Sequence, residues 1–316
     1  MMKKENVLFF AKAAIAFFLV TGFVFGVVMP QYSQGYNASL IDKMARLKSL
    51  TGPKLVLIGN SNLPFGVDSE MLEDEFGVPV VNMGLHGGLG NAFHEQMART
   101  NVQSGDLYVV VHTEYDDDDG IGNPDLVWIT LENHWGLYRL LRPKDWGVVK
   151  DSFSTYFRKA LALYVDRSGN AFSAEDPYNR HAFNKYGDNA FPRPCQSGDI
   201  IPFDEQTVSQ ASDACIDRLN ELNAYLTARG ATMLVALYPI AYGTYTPDTD
   251  EYYDLMETLT ERLDCPVISY PADYMYDYED FYDTFFHLTD NSVHRRTHQL
   301  IFDIRRWQEG GVPGEV

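Results

Sequence analysis

The sequence predicts an α/β protein whose parallel β-sheet is covered by helices on both faces, preceded by one apolar N-terminal helix. Three observations predict it. Short apolar runs alternate with amphipathic helical stretches after residue 53. An apolar run of membrane-spanning length lies near the N-terminus. An aromatic-rich stretch at about 120–205, with Trp128, Trp135 and Trp146, interrupts the alternation. At 316 residues, 45% hydrophobic and 22% charged, the chain can bury a sizeable core, which excludes collagen-like and disordered classes.

The run from Val7 to Met29 carries one charge, Lys12, and as a helix it is long enough to cross about 30 Å of hydrocarbon. Lys3 and Lys4 precede it and no Lys or Arg follows until Lys43. The positive-inside rule therefore places the N-terminus in the cytoplasm and the rest of the chain outside. The run is long and no A-x-A cleavage site or lipobox cysteine follows it. It reads as an uncleaved single-pass anchor rather than a signal peptide. The expected division is a stub and anchor over 1–30, a polar linker leading into a short helix over 31–52, and a domain over 53–316 with an insertion at about 120–205.

Within that domain, Lys54 to Ile58 is an apolar run before Gly59, the pattern of a strand buried on both faces. Asp68 or Ser69 caps a helix that reaches Phe76, with Gly77 as its stop. Pro79 to Asn82 and Asp106 to His112 are the second and third strands. Ser212 to Arg229 is helical, with Ile216, Leu219, Leu222 and Leu226 on one face. Met233 to Tyr238 is a fourth strand, Asp250 to Leu263 a helix, Pro266 to Tyr270 a fifth strand. The last helix runs from about Asn291 to Trp307, with Val293, Leu300, Ile301 and Ile304 inward. The insertion is expected to pack as helices over the carboxyl ends of the strands, where open α/β sheets bind ligands.

Charge narrows the function. Lys and Arg total 25 against 44 Asp and Glu, a net charge of -19. That excludes a nucleic-acid binder, which needs a basic footprint to neutralise phosphates, and disfavours electrostatic docking on anionic lipid. Cys195, Cys215 and Cys265 form no CxxC pair and no disulfide framework. One bridge, Cys195–Cys215, is the reading an oxidising exterior favours; three free thiols are the alternative.

Four places carry chemistry. Gly59-Asn-Ser-Asn62 sets Ser61 on a tight turn directly after the first strand, where a hydroxyl with a base beside it becomes a nucleophile. Asn82-Met-Gly-Leu-His-Gly-Gly-Leu-Gly90 follows the second strand, and its glycines let backbone N–H groups approach a ligand oxygen. His112-Thr-Glu-Tyr-Asp116 follows the third. Asp283-Thr-Phe-Phe-His287 precedes the last helix, and a carboxylate beside an imidazole fixes its tautomer for general-base work. All four fall where one crevice gathers them.

In Leu57-Ile-Gly-Asn-Ser-Asn62, Val81-Asn-Met-Gly-Leu-His-Gly87 and Phe281-Tyr-Asp-Thr-Phe-Phe-His-Leu-Thr289, the sequence resembles the SGNH (GDSL-like) hydrolase superfamily. The resemblance covers about residues 54–115 and 231–308. It implies a flavodoxin-like three-layer α/β/α sandwich with a five-stranded parallel sheet of order 2-1-3-4-5. It implies Ser61 as nucleophile, His287 as base and Asp283 as orienting acid, with the Ser61 and Gly87 amides in the oxyanion hole. No cofactor or metal is implied.

Two departures from the family stand out. The family spaces its acid and base Asp-x-x-His; here one more residue intervenes, with Asp280 as the fallback acid. The family's third block supplies an oxyanion-hole Asn; here His112-Thr-Glu-Tyr115 has Glu114 instead. Asn60 or Asn62 is an alternative donor. We read Glu114 as serving the site, held protonated or bonding a sugar hydroxyl, against the alternative of a glutamate turned to solvent.

A membrane-tethered, outward-facing member is similar to the envelope-modifying branch that includes alginate O-acetylation and teichoic-acid D-alanyl transfer proteins. That resemblance implies an acylated envelope glycan as substrate and a membrane-bound acyltransferase as partner. The first function expected is therefore a serine esterase or O-acyltransferase. The second is an inactive glycan-binding or assembly protein of the same fold. A metal-dependent hydrolase using His86, His94, His112 and the Asp116–Asp119 run is the third, without recognisable ligand spacing.

Overall fold

In a computed structural model, the residues described are 4–116, 121–132, 134–166, 176–198, 207–242 and 249–314. Apolar runs buried on both faces fix its centre. Leu55–Gly59 (β1), Val80–Asn82 (β2), Leu107–Val111 (β3) and Thr232–Val235 (β4) form one parallel sheet of order β2-β1-β3-β4. In register, Leu55 pairs with Val80 and Leu107, and Leu107 with Thr232. Beyond β4 a fifth strand was expected; the ladder there is a single parallel bridge, Val235 to Val267. Val235 donates to Pro266 O and Ile268 donates to Val235 O, both at 2.9 Å. Pro266 has no N–H to extend that pairing. Ile240–Tyr242 (β5) and Met275–Asp277 (β6) make a separate two-stranded parallel sheet.

The helices form where capping and apolar spacing agree. Ser69–Phe76 (α3) is capped by Asp68, whose carboxylate accepts the Glu70 and Met71 N–H groups at 3.0 and 3.2 Å. Asn91–Ala98 (α4), which the sequence reading did not foresee, follows the glycine block. Asp213–Thr227 (α7) starts at Ser212, whose hydroxyl accepts the Cys215 N–H at 3.2 Å, and buries Ile216, Leu219, Leu222 and Leu226. Thr249–Arg262 (α8) buries Tyr252, Leu255 and Leu259. Asp290–Gln308 (α9) buries Val293, Leu300 and Ile304 as expected, but also Arg296, Thr297 and Asp303.

The stretch read as a linker belongs to the domain. Ser39–Ser49 (α2) buries Leu40, Met44 and Leu47 in the main core. Its Lys43 is fully buried and donates to three carbonyls, Asn82 O, Gly84 O and Gly187 O, at 3.0, 2.7 and 2.6 Å. The Cys195–Cys215 bridge does not form. Cys215 is buried on the inner face of α7, Cys195 is exposed, and all three thiols are free.

Lys4–Phe23 (α1) runs into a π-helical turn, Val24–Val28. The span Asn6–Val28 is long and apolar enough to cross a membrane. Its C-terminal end is held by the insertion, which contributes Pro124–Leu131 (α5) and Trp146–Val165 (α6). Phe25 stacks on Phe153, Phe23 meets Tyr164 edge-on, and the Tyr156 hydroxyl donates to Met29 O at 3.0 Å. Glu132, which closes α5 at φ 28°, accepts the Tyr32 N–H at 2.9 Å and the Tyr156 hydroxyl at 3.4 Å. A non-glycine residue in that backbone region is strained, so tertiary contacts hold it there.

Burial pushes the Glu132 carboxyl up to about 7, against the pull of the Tyr32 N–H. A carboxyl raised on folding contributes stability below its unfolded pKa and loses it as pH rises through the folded value. Stability of the detergent-solubilised chain is therefore expected to fall between about pH 4.5 and 7, by up to about 3 kcal/mol from this group. Asp303, pushed up to about 6 by burial, adds to the lower part of the window. Urea midpoints at pH 6 and 7.5 should converge in Glu132→Gln, which keeps the acceptor and removes the charge. An unchanged gap would reject this role for Glu132.

Candidate active site

The crevice is built from the turn after β1. Asn60 and Asn62 are buried and Ser61 half-buried. The chain bends back at once: Leu63 N–H donates to Asn60 O and Phe65 N–H to Ser61 O, both at 3.2 Å. The glycine block packs directly on this turn. A Cβ at Gly84 would lie 2.7 Å from Leu63 Cβ and 2.8 Å from Asn60 O, so only glycine fits. Gly87 is close as well, its Cβ position 3.5 Å from Asn60 Nδ2. The backbone N–H groups of Ser61 and Gly87 make no hydrogen bond among the described residues. Unengaged amides are the groups from which an oxyanion hole is made.

On the same side stands a locked imidazole. His287 Nδ1 is 2.8 Å from Asp283 Oδ1. The extra residue in Asp-x-x-x-His is absorbed by a turn in which the His287 N–H donates to Thr284 O at 3.4 Å. Phe65, one turn after Ser61, stacks on the His287 ring at 3.9 Å and 12°, and its carbonyl accepts the Leu288 N–H at 3.1 Å. The imidazole is thereby tied to the serine turn. Ser61 Oγ and His287 Nε2 make no hydrogen bond to each other; resting sites often tighten only with substrate bound. Burial pushes the imidazole below its ordinary value, against the hydrogen bond and charge of Asp283. Burial raises Asp283, but the His287 hydrogen bond and charge and the Tyr178 hydroxyl outweigh it and hold the carboxyl low. The pair is thus set as neutral imidazole and carboxylate near neutral pH.

The sequence reading missed Tyr178. Its hydroxyl donates to Asp283 Oδ2 and lies 3.1 Å from His287 Nδ1. It sits in the insertion, more than 100 residues from both partners, and no local pattern marks it. On sequence His86 reads only as a metal ligand; the fold gives it another place. Its Nδ1 accepts the Gly88 N–H at 2.9 Å, which leaves the proton on Nε2. Desolvation and the nearby His287 lower its pKa, so it is a neutral donor at the crevice rim. Arg193 also escaped notice. It stacks over Phe65 and donates to Leu288 O at 3.1 Å, pinning the Asp283–His287 loop from the insertion.

Other expected residues lie elsewhere. Asn62 is fully buried, and its amide donates to Asn60 Oδ1 at 2.7 Å and Val111 O at 3.3 Å. It braces the turn and does not face the crevice. Asn60 donates to Thr113 Oγ1. The Glu114 side chain is exposed, so the burial that would hold it protonated is absent, and its carbonyl accepts from Asn91. Asp280, the fallback acid, is engaged by Ser292, Arg295 and the Asp277 N–H. His94 and His112 are buried beneath the glycine block with Glu95. No cluster of three metal-ligating side chains occurs among the described residues; Asp117–Asp119 lie outside them.

No family model, no curated protein and no solved structure matches the chain.

The geometry makes the imidazole titration a direct readout. Asp283→Asn should drop the His287 pKa by about one pH unit or more, since an opposite charge in contact is lost. Tyr178→Phe should raise it, because Asp283 loses a donor and its charge turns more fully on the ring. Imidazole titration by NMR checks both; an unmoved His287 in both variants would refute the coupling.

Proposed function

We propose that this protein is an SGNH-like serine ester hydrolase or O-acyltransferase, held to the membrane by α1 with its domain outside, that acts on acylated envelope glycan. The observation that carries this reading is the Asp283–His287 pair, tied through Phe65 to the turn that bears Ser61. The four-stranded order β2-β1-β3-β4 agrees with that fold as far as it goes. The single N-terminal apolar helix with lysines on one side supports the anchor.

In the proposed reaction Ser61 Oγ attacks the acyl carbonyl while His287 Nε2 takes the hydroxyl proton. The Ser61 and Gly87 amides receive the developing oxyanion. Collapse expels the sugar alkoxide, which takes the proton back from His287, and leaves acyl-Ser61. Attack by water then gives hydrolysis; attack by another sugar hydroxyl gives transfer, with a membrane-bound acyltransferase as a partner for the latter. Two exposed indoles, Trp135 and Trp146, sandwich Tyr138 with ring separations of 5.5 and 5.9 Å, a surface suited to sugar faces.

Ser61→Ala should abolish acetyl-ester turnover and fluorophosphonate labelling while leaving the unfolding midpoint unchanged. His287→Ala should cost at least roughly 10³-fold in turnover. The inactive binding or assembly protein is the second reading, and the unmade Ser61–His287 hydrogen bond favours it. A wild-type chain that neither labels nor turns over ester would establish that reading instead.

A further inference from the structure

We infer that the C-terminal end of α6 enters the outer leaflet of the membrane that α1 crosses, so that the domain is seated on lipid as well as tethered to it. This rests on the proposed anchor. The two helices run in opposite directions. Tyr156 bonds Met29 at the outer end of the apolar span, and further along α6 Tyr164 meets Phe23, six residues back along the span, with ring centroids 6.3 Å apart. Phe23 lies about 8 Å below Val28 at about 1.5 Å per residue. A span of 23 residues is about 35 Å long against about 30 Å of hydrocarbon. Even with the whole excess on the outer side, Phe23 and the end of α6 beside it stay below the hydrocarbon boundary.

The sequence of α6 suits that depth. From Ala160 to Val165 it carries no charge, Leu161 and Val165 are 38% and 70% exposed, and the exposed Asp166 closes the helix directly after them. Leu163 and Tyr164 are half-covered by the chain itself. The exposed Arg158 lies one turn nearer the headgroups, with its Nε donating back to Ser154 O, away from the membrane. Lys159 pairs with Asp125 at the same level. An uncharged last turn about 3–8 Å deep, with cations one turn above it and the Asp166 carboxylate within reach of the headgroups at the shallow limit, suits a helix that enters the leaflet end-on. The occupant of this face is lipid, because α1 already fixes it at lipid depth. The contact needs no anionic headgroup, so a net charge of -19 does not oppose it.

The test uses the full chain in lipid nanodiscs with Cys195→Ser as background, the other two thiols being buried. An environment-sensitive fluorophore is placed by Val165→Cys, Leu19→Cys or Val148→Cys, one per sample. Lipids brominated near the top of the acyl chains should quench and blue-shift the Val165 label. The Val148 label, at the far end of α6, should respond only to aqueous iodide. Iodide quenching of the Val165 label, with the Leu19 label still quenched by bromolipid, would overturn the inference and leave the anchor standing. Shielding of the Val165 label from both quenchers would mean a protein partner and would overturn it too. Loss of bromolipid quenching at Leu19 would overturn the anchor itself.

Discussion

A buried guanidinium holds the crevice together. Arg296 on α9 is 1% exposed and has no carboxylate partner among the described residues; its Nη1 and Nη2 donate to Asn62 O and Asn62 Oδ1, both at 2.6 Å. Burying a charge is costly unless hydrogen bonds compensate it. Here the compensation comes from the turn that carries Ser61. Asn62 passes the constraint on, its amide bonding Asn60 Oδ1 and the end of β3. Asn60 bonds Thr113. Gly66 is required because a Cβ there would collide with the guanidinium. The last helix, the first loop and the third strand therefore share one polar knot, and the serine stands on top of it.

Lys43 does for the glycine block what Arg296 does for the serine turn. Three carbonyls from two distant segments converge on its ammonium, and α2 carries it there. Burial lowers its pKa while Asp188 opposes the shift. These two cations make the crevice rigid from below, and Phe65, Tyr178 and Arg193 hold the imidazole from above. Rigid elements and supported side chains are what a preorganised site needs.

What the sequence made legible follows from how local each signal is. The strands β1 and β3 and the helices α3, α7 and α9 announced themselves by runs, caps and periodicity confined to a dozen residues. The Asp283–His287 contact was readable for the same reason. The residues that escaped act over long separations. Arg296 on a helical face reads as solvated, and only the fold shows it meeting Asn62, 234 positions away. Tyr178 belongs to a stretch with no periodicity. Lys43 and α2 were assigned to a linker because a helix with a buried lysine looks more polar than its surroundings are. Asn62 was placed in the crevice because adjacency to Ser61 does not reveal which way a side chain turns.

The insertion joins two features that the sequence left separate. Its later part delivers Tyr178 and Arg193 to the imidazole. Its earlier part sets α5 on the glycine block, where Asn123 N–H donates to Gly88 O at 2.7 Å, and α6 on the C-terminal end of α1. Glu132 sits between these, bonding both Tyr32 on the chain leaving α1 and Tyr156 on α6. A displacement of α1 relative to the domain therefore acts on α5 and α6 as well as on the chain that leads through Tyr36 into the core. From α5 the next contact is Gly88, adjacent to the free Gly87 amide. The end of α1 and the crevice are thus joined through one packed unit.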